Sequence, residues 1–432
     1  MNRAAPATQS ALRRLHLQRV VGFGLTLVGV AAVCVITLTP AAVSEERLPL
    51  LCMACGERPA VDVLLNILLF IPVSVGLGLY GVKFRRALLC GVLGSILIEW
   101  LQFAVVAGRF PSVRDVLSNS IGLVVGYVAG SRWATLVYPG ARTARSLAIP
   151  AAALWLATQA FTAWAMGIAA PTTPWWAQLE PDYDGYPAVF AGKIVALSLG
   201  SVAIVESNVV PRGDESRRQL LAGAPLRVVL THVSPTAGLA MIVVISAGPV
   251  HDVLYWQQDG RAAVFTVPVR GTFAGLRTPS VRIGDAMPLT SRDTVRLSGA
   301  YAHGRYRLTA ERNGVMIERD FNASPSLAWA FLLPLPSYAF GAEARLCTAL
   351  WLSAGWLLLG YWSSRARGAM GGRPMVAATA ITLSLGLALA PWLFDLPIAH
   401  WSEWMSATVG FGAGWLVATH TLRTSHAVGF PP

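Results

Sequence analysis

Residues 61–82 read VDVLLNILLFIPVSVGLGLYGV, an apolar run whose polar side chains are Asp62, Asn66, Ser74 and Tyr80. A helix needs roughly 17–25 mostly apolar residues to cross a bilayer core, so this stretch reads as a membrane span over Val63–Val82. Working outward, comparable runs occur at Val20–Val43, Ala87–Ala107, Val116–Tyr138, Leu147–Ala169, Leu346–Trp362, Val376–Phe394 and Trp404–Leu422. The expectation is an α-helical polytopic membrane protein of about eight helices. Charge agrees: only 13% of the 432 residues are charged, against about 25% in soluble domains. The first run exceeds the ~7–15 residues of a signal-peptide core, so it reads as an uncleaved helix.

The net charge of +12 could suggest nucleic acid, but its placement does not. Residues 171–325 hold 15 Lys/Arg and 13 Asp/Glu, so most of the excess lies in short loops between apolar runs. With the N-terminus inside, the inner segments carry Arg13, Arg14, Arg19, Lys83, Arg85, Arg86, Arg132, Arg142 and Arg145, and no acid. The outer loops carry Glu45, Glu46, Glu57, Asp62, Asp115, Glu343, Asp395 and Glu403. The positive-inside rule then places both termini in the cytoplasm of a bacterial inner membrane.

Residues 171–325 change texture. Strands are expected at Lys193–Leu199, Leu226–His232, Leu239–Ser246, Ala262–Val269, Thr294–Ser298, Arg305–Glu311 and Val315–Phe321. Tyr306, Leu308 and Ala310 alternate with polar neighbours, the period of a half-buried strand. Asn313-Gly314 between two such runs is a hairpin signal. About seven short strands predict an antiparallel sandwich on the extracytoplasmic side. The stretch from Val295 to Phe321, with Tyr306, Leu308 and Asn313-Gly314, resembles the last strands of concanavalin-like and laminin-G-like jelly rolls. That resemblance implies a glycan contact; a structural or protein-contacting domain is the alternative. Trp256 could stack on a sugar, whereas Trp175-Trp176 sits where an interfacial aromatic belt is expected. The organisation is thus 1–170 for five helices, 171–325 for the β domain and 326–432 for an interfacial segment, Ser326–Phe340, and three helices.

The polar residues within the apolar runs form a pattern. Asp-Val-Leu-x-Asn occurs at 62–66 in the form Asp62-Val63-Leu64-Leu65-Asn66 and again as Asp115-Val116-Leu117-Ser118-Asn119. A degenerate third copy, Glu403-Trp404-Met405-Ser406, leads to Gly410 and Gly414 as Asp115 leads to Gly122 and Gly126. Each carboxylate starts a helix, where it suits the positive end of the dipole. Glu99 and Gln102 lie inside a span, and an ionisable group there needs a partner. Gly122, Gly126 and Gly130 make a small-residue contact face.

Asp62 to Asn66, Leu69-Phe70-Ile71-Pro72, Ile98-Glu99-Trp100-Leu101-Gln102, Arg109, Asp115 to Asn119, Gly122 and Gly126 together resemble the VanZ-like family, named for a protein associated with teicoplanin resistance. One departure is that the glycine after Pro72 is delayed to Gly76. The resemblance implies a non-enzymatic envelope protein. In it, Asp62, Asn66, Glu99, Gln102, Arg109, Asp115 and Asn119 would bind a lipid headgroup or a lipid-linked wall precursor near the outer leaflet. The alternative is a membrane enzyme with Glu99 or Asp115 as general base or metal ligand, and the fallback is a transporter.

Cys52 and Cys55 lie in the first outer loop, where a short disulfide or two free thiols are equally expected. His232, His251, Asp252 and His303 lack metal-ligand spacing, and no phosphate loop, dinucleotide fingerprint or nucleophile elbow occurs. No metal or cofactor is expected, and partners are expected to be lipid, a lipid-linked precursor or glycan, not nucleic acid.

Overall fold

The computed structural model describes residues 6–40, 58–106, 109, 111–182, 187–248, 252–288, 293–333, 338–341, 343–370 and 372–427. The chain divides into two compact units, Met1–Thr143 and Ala144–Pro432. Cys52 and Cys55 lie outside the described residues.

The first unit is helical: α1 Pro6–Leu38, α2 Pro59–Tyr80, α3 Phe84–Ala104, α4 Val113–Ser131 and the short α5 Trp133–Val137. Helix α2 begins at Pro59, where a missing N–H costs nothing. It ends at Gly81 (φ 90°), whose N–H returns to the carbonyls of Leu77 and Gly78; the left-handed residue stops the helix. The bundle is held where side chains are smallest. A Cβ on Gly122 would lie 2.3 Å from the Ile67 carbonyl oxygen, one on Gly126 would lie 2.4 Å from that of Ile71, and one on Gly130 2.2 Å from that of Val75. Helices α2 and α4 therefore run backbone against backbone, the close approach that small residues permit in lipid. Phe70, Val73 and Leu123 fill the core with Val33 of α1.

The second unit takes in α6 (Ala141–Ala165) from Ala144 on and continues into two antiparallel sheets. One runs β1 (Trp175–Leu179), β5 (Leu239–Ala247), β6 (Asp252–Asp259), β7 (Ala262–Thr266) and β8 (Ser280–Ile283). The other runs β11 (Val315–Asn322), β10 (Arg305–Arg312), β9 (Val295–Ala302), β4 (Leu226–Thr231), β2 (Lys193–Leu199) and β3 (Val202–Ala203). Short helices α7 (Gly213–Leu221), α8 (Arg270–Phe273) and α9 (Ala328–Leu332) punctuate them. The sheets meet at Gly299 of β9, where a Cβ would press on Trp256 and Phe265 of the opposite sheet. The expected hairpin is present: Asn313 (φ 48°) and Gly314 (φ 77°) join Arg312 to Val315. Its neighbour uses His303 (φ 50°) and Gly304 (φ 72°) in the same way.

Two tryptophan readings are corrected. Trp256 is fully buried between the sheets, its indole N–H directed at the Leu226 carbonyl, so it offers no sugar-stacking face. Trp175 is not an interfacial residue: it is buried in β1, and only Trp176 beside it is exposed. Within Ser326–Phe340, described residues hydrogen-bond to the β domain. Arg277 N–H donates to the Phe331 carbonyl and Phe340 N–H to that of Ser280. Tyr301 joins the domain to the end of α6 by donating its hydroxyl to the Met166 carbonyl at 2.6 Å. Burial pushes the Tyr301 phenol up, so it stays a donor.

The unit closes with α10 (Ala344–Met370), α11 (Gly372–Ser384), a π-helical turn (Leu385–Leu389), α12 (Ala390–Leu393) and α13 (Trp401–Ala427). Among the described residues, six helices are long and apolar enough to cross a membrane: Leu15–Leu38, Pro59–Tyr80, Phe84–Ala104, Ala141–Ala165, Ala344–Gly368 and Pro374–Leu393. The two remaining expected spans are helices α4 and α13, but they do not meet that measure. Helix α4 carries Arg114, Asp115, Ser118, Asn119 and Ser120, and α13 carries Ser402, Glu403, Ser406, Thr408 and Thr419. Polar side chains lower their hydropathy without breaking the helices.

Candidate functional site

The polar residues of the first unit gather where α2 and α4 begin and α3 ends. Arg114, in the first turn of α4, is 8% exposed and lies between two carboxylates. Its Nη2 is 3.4 Å from Asp62 Oδ2 of α2, and its Nε 3.4 Å from Asp115 Oδ1. The Asn66 amide is a hydrogen-bond partner of Asp115. Thus the two copies of the Asp-Val-Leu-x-Asn motif meet: the carboxylate of one engages the amide of the other, and Arg114 bridges both acids.

Glu99, 8% exposed on α3, accepts the Ser112 backbone N–H at 2.7 Å. Ser112 is the extended residue preceding α4 (φ −139°), so Glu99 satisfies one of the free donors of a helix start. Asn119, 2% exposed, donates to Ser95 Oγ at 2.9 Å, and its own Oδ1 is buried without a hydrogen-bond partner. Ser74 Oγ donates to the Gly122 carbonyl at 3.3 Å across the glycine seam.

Two expected members are turned elsewhere. Gln102 donates to the Thr37 carbonyl of α1 at 2.9 Å. Arg109 directs Nη2 to the Ile36 carbonyl at 3.1 Å and Nε to that of Thr39 at 3.4 Å, so it caps the end of α1. A cation at a helix C-terminus matches the dipole there. The residues brought together are thus Asp62, Asn66, Glu99, Asp115 and, one turn deeper, Asn119. Sequence reasoning missed Arg114, Ser95 and Ser112. Arg114 carried a signal: a cation beside Asp115, at the expected outer end of an expected span, runs against the charge bias and calls for a partner.

The arrangement sets acids from three helices around one buried guanidinium, with backbone donors and amides filling the gaps. It can present carboxylate and guanidinium edges side by side to a polar group. The family model described as VanZ/LLP1 matches residues 10–134, from α1 into α5. That stretch is a VanZ-like domain. The match includes every residue of the cluster and ends before α6 and the β domain. No curated protein and no solved structure matches the chain.

Proposed function

We propose that the VanZ-like domain acts at the bacterial cell envelope as a non-enzymatic binding module, and that its ligand is the polar headgroup of a lipid or a lipid-linked wall precursor. The observation that carries this is the convergence of Asp62, Glu99 and Asp115, from α2, α3 and α4, on the buried Arg114 and the α4 start. Structural glue needs fewer charges; a guanidinium among three carboxylates in a membrane helix bundle is a costly arrangement kept for a purpose. Glu99 accepts a backbone N–H through one oxygen, which holds the carboxylate in place as a fixed binding edge. In this reading α4 and α13 also cross, since 19 and 27 residues at ~1.5 Å each approach or exceed a bilayer core of about 30 Å. The cluster and the β domain lie outside in this reading, which the bias of the loop charges supports. The likeness of this domain to a family named for a protein associated with teicoplanin resistance supports a role in teicoplanin tolerance.

The test is glycopeptide susceptibility, teicoplanin beside vancomycin, in cells expressing wild type, Glu99→Gln or Asp115→Asn at matched membrane abundance. Wild type is expected to protect and both variants to lose protection. No protection by wild type, or full protection by correctly inserted variants, would sink the proposal.

A further inference from the structure

The second unit repeats the helix pairing of the first. In α4, Gly122 and Gly126 face the carbonyls of Ile67 and Ile71; in α13, a Cβ on Gly410 would lie 2.3 Å from the Ser353 carbonyl oxygen, and one on Gly414 would lie 2.0 Å from that of Leu357. The same glycine spacing meets the same carbonyl spacing, so α10 and α13 pack in the register of α2 and α4. Counting back from these contacts puts Thr348 where the first unit has Asp62, and Ser402 and Glu403 where it has Arg114 and Asp115. The buried cation that fills the first unit's helix starts is therefore a serine in the second, and the acid on the partner helix is a threonine.

At that place the second unit has a cavity of about 460 Å³. Arg345, Thr348, His400, Ser402, Glu403 and, from β11, Arg319 border it. Glu403 is already engaged, accepting Ser324 Oγ–H at 2.9 Å and the His400 N–H at 3.3 Å. Asp320, also at the rim, stands across from Arg307 on β10. Among the described residues neither Arg319 nor Arg345 forms an ion pair, and Arg319 Nε is buried without a hydrogen-bond partner. Two 27-residue helices begin at its wall, and helix starts favour anions.

We propose that this cavity is an anion site for a phosphate-bearing group, held by Arg319 and Arg345 over the starts of α10 and α13. Guanidinium forks match phosphate oxygens in pairs, and the loss of the built-in cation at Ser402 leaves the space. The site is separate from the cluster of the VanZ-like domain and stands without it.

The test uses the full-length protein in neutral detergent, with inorganic phosphate and dihexanoyl phosphatidic acid as probes and melting temperature as readout. Wild type should show a saturable rise. Arg319→Ala and Arg345→Ala should each weaken it roughly tenfold or more, as loss of a charged hydrogen bond does. Ser402→Arg, which restores the first unit's cation, should abolish it, and Arg296→Ala, at an exposed arginine that does not border the cavity, should leave it unchanged. Arg345 is exposed, so its variant keeps the fold. Response to phosphate identifies a free anion, and response to the lipid alone identifies a headgroup; either supports the site. The proposal is overturned by the absence of binding to both probes, or by binding that survives both arginine variants and Ser402→Arg.

Discussion

Gly126→Val costs the VanZ-like domain its fold. A Cβ at this position meets Ser74 Oγ at 2.2 Å and the Ile71 carbonyl oxygen at 2.4 Å. The serine can rotate, but the carbonyl belongs to the backbone of α2 and cannot move without separating the helices. Overpacking a well-filled core costs about 1–3 kcal/mol when side chains yield; here backbone must yield, so the loss lies at or above the top of that range. Gly94, where an added Cβ would meet nothing within 4 Å apart from its chain neighbours and its own helix's backbone, is the control. Gly94→Ala should be neutral or stabilising by up to about 1 kcal/mol, since alanine loses less backbone freedom in a helix. Size-exclusion profiles of detergent extracts over a heating series would check both. A monodisperse Gly126→Val protein with wild-type melting would contradict the packing described.

The second large effect is expected at Arg114. Arg114→Leu leaves Asp62 and Asp115 facing each other without their shared cation. Breaking a buried pair by removing one partner costs about 3–5 kcal/mol. The Asp62 side chain is 47% exposed and that of Asp115 22%, so water softens the penalty and about 2 kcal/mol is the reasonable figure. The informative comparison is the triple change with Asp62→Asn and Asp115→Asn, which removes the stranded charges. Chemical denaturation of the purified protein should show the triple variant recovering more than half of the loss. Equal stability of the single and triple variants would mean that Arg114 acts through packing of its stem, not through its charge.

Much of this architecture was legible from periodicity and charge. The apolar runs, the Asn313-Gly314 hairpin and the meeting of Asp62, Asn66, Asp115 and Asn119 near one end of α2 and α4 all follow from local rules, because each depends on residues close in sequence or repeated in register. What was not legible depended on distant partners. Strand β6, Asp252–Asp259, lacks clean alternation because both of its faces are covered: Val253, Leu254 and Trp256 are buried, and so is Gln258, held by carbonyls of Ser234 and Gly260. Gln102 shares a helix with Glu99, yet its amide goes to α1, a contact that sequence spacing along α3 does not encode. The correspondence of Glu403 with Asp115 was visible in sequence, but the α2–α10 half of the repeat was not, since it lies in backbone contacts to glycine rather than in shared side chains.

Sidedness decides whether the cluster of Asp62, Glu99, Arg114 and Asp115 can meet an envelope ligand at all. The direct measurement is labelling of single cysteines, in a background lacking the five native ones, with a membrane-impermeant maleimide. Val113 at the start of α4 is 42% exposed, and Lys83 precedes α3 at the other end of the bundle and is exposed. Val113→Cys should react in intact cells and Lys83→Cys only after permeabilisation. The opposite pattern would put the cluster on the cytoplasmic face and contradict an envelope-facing site.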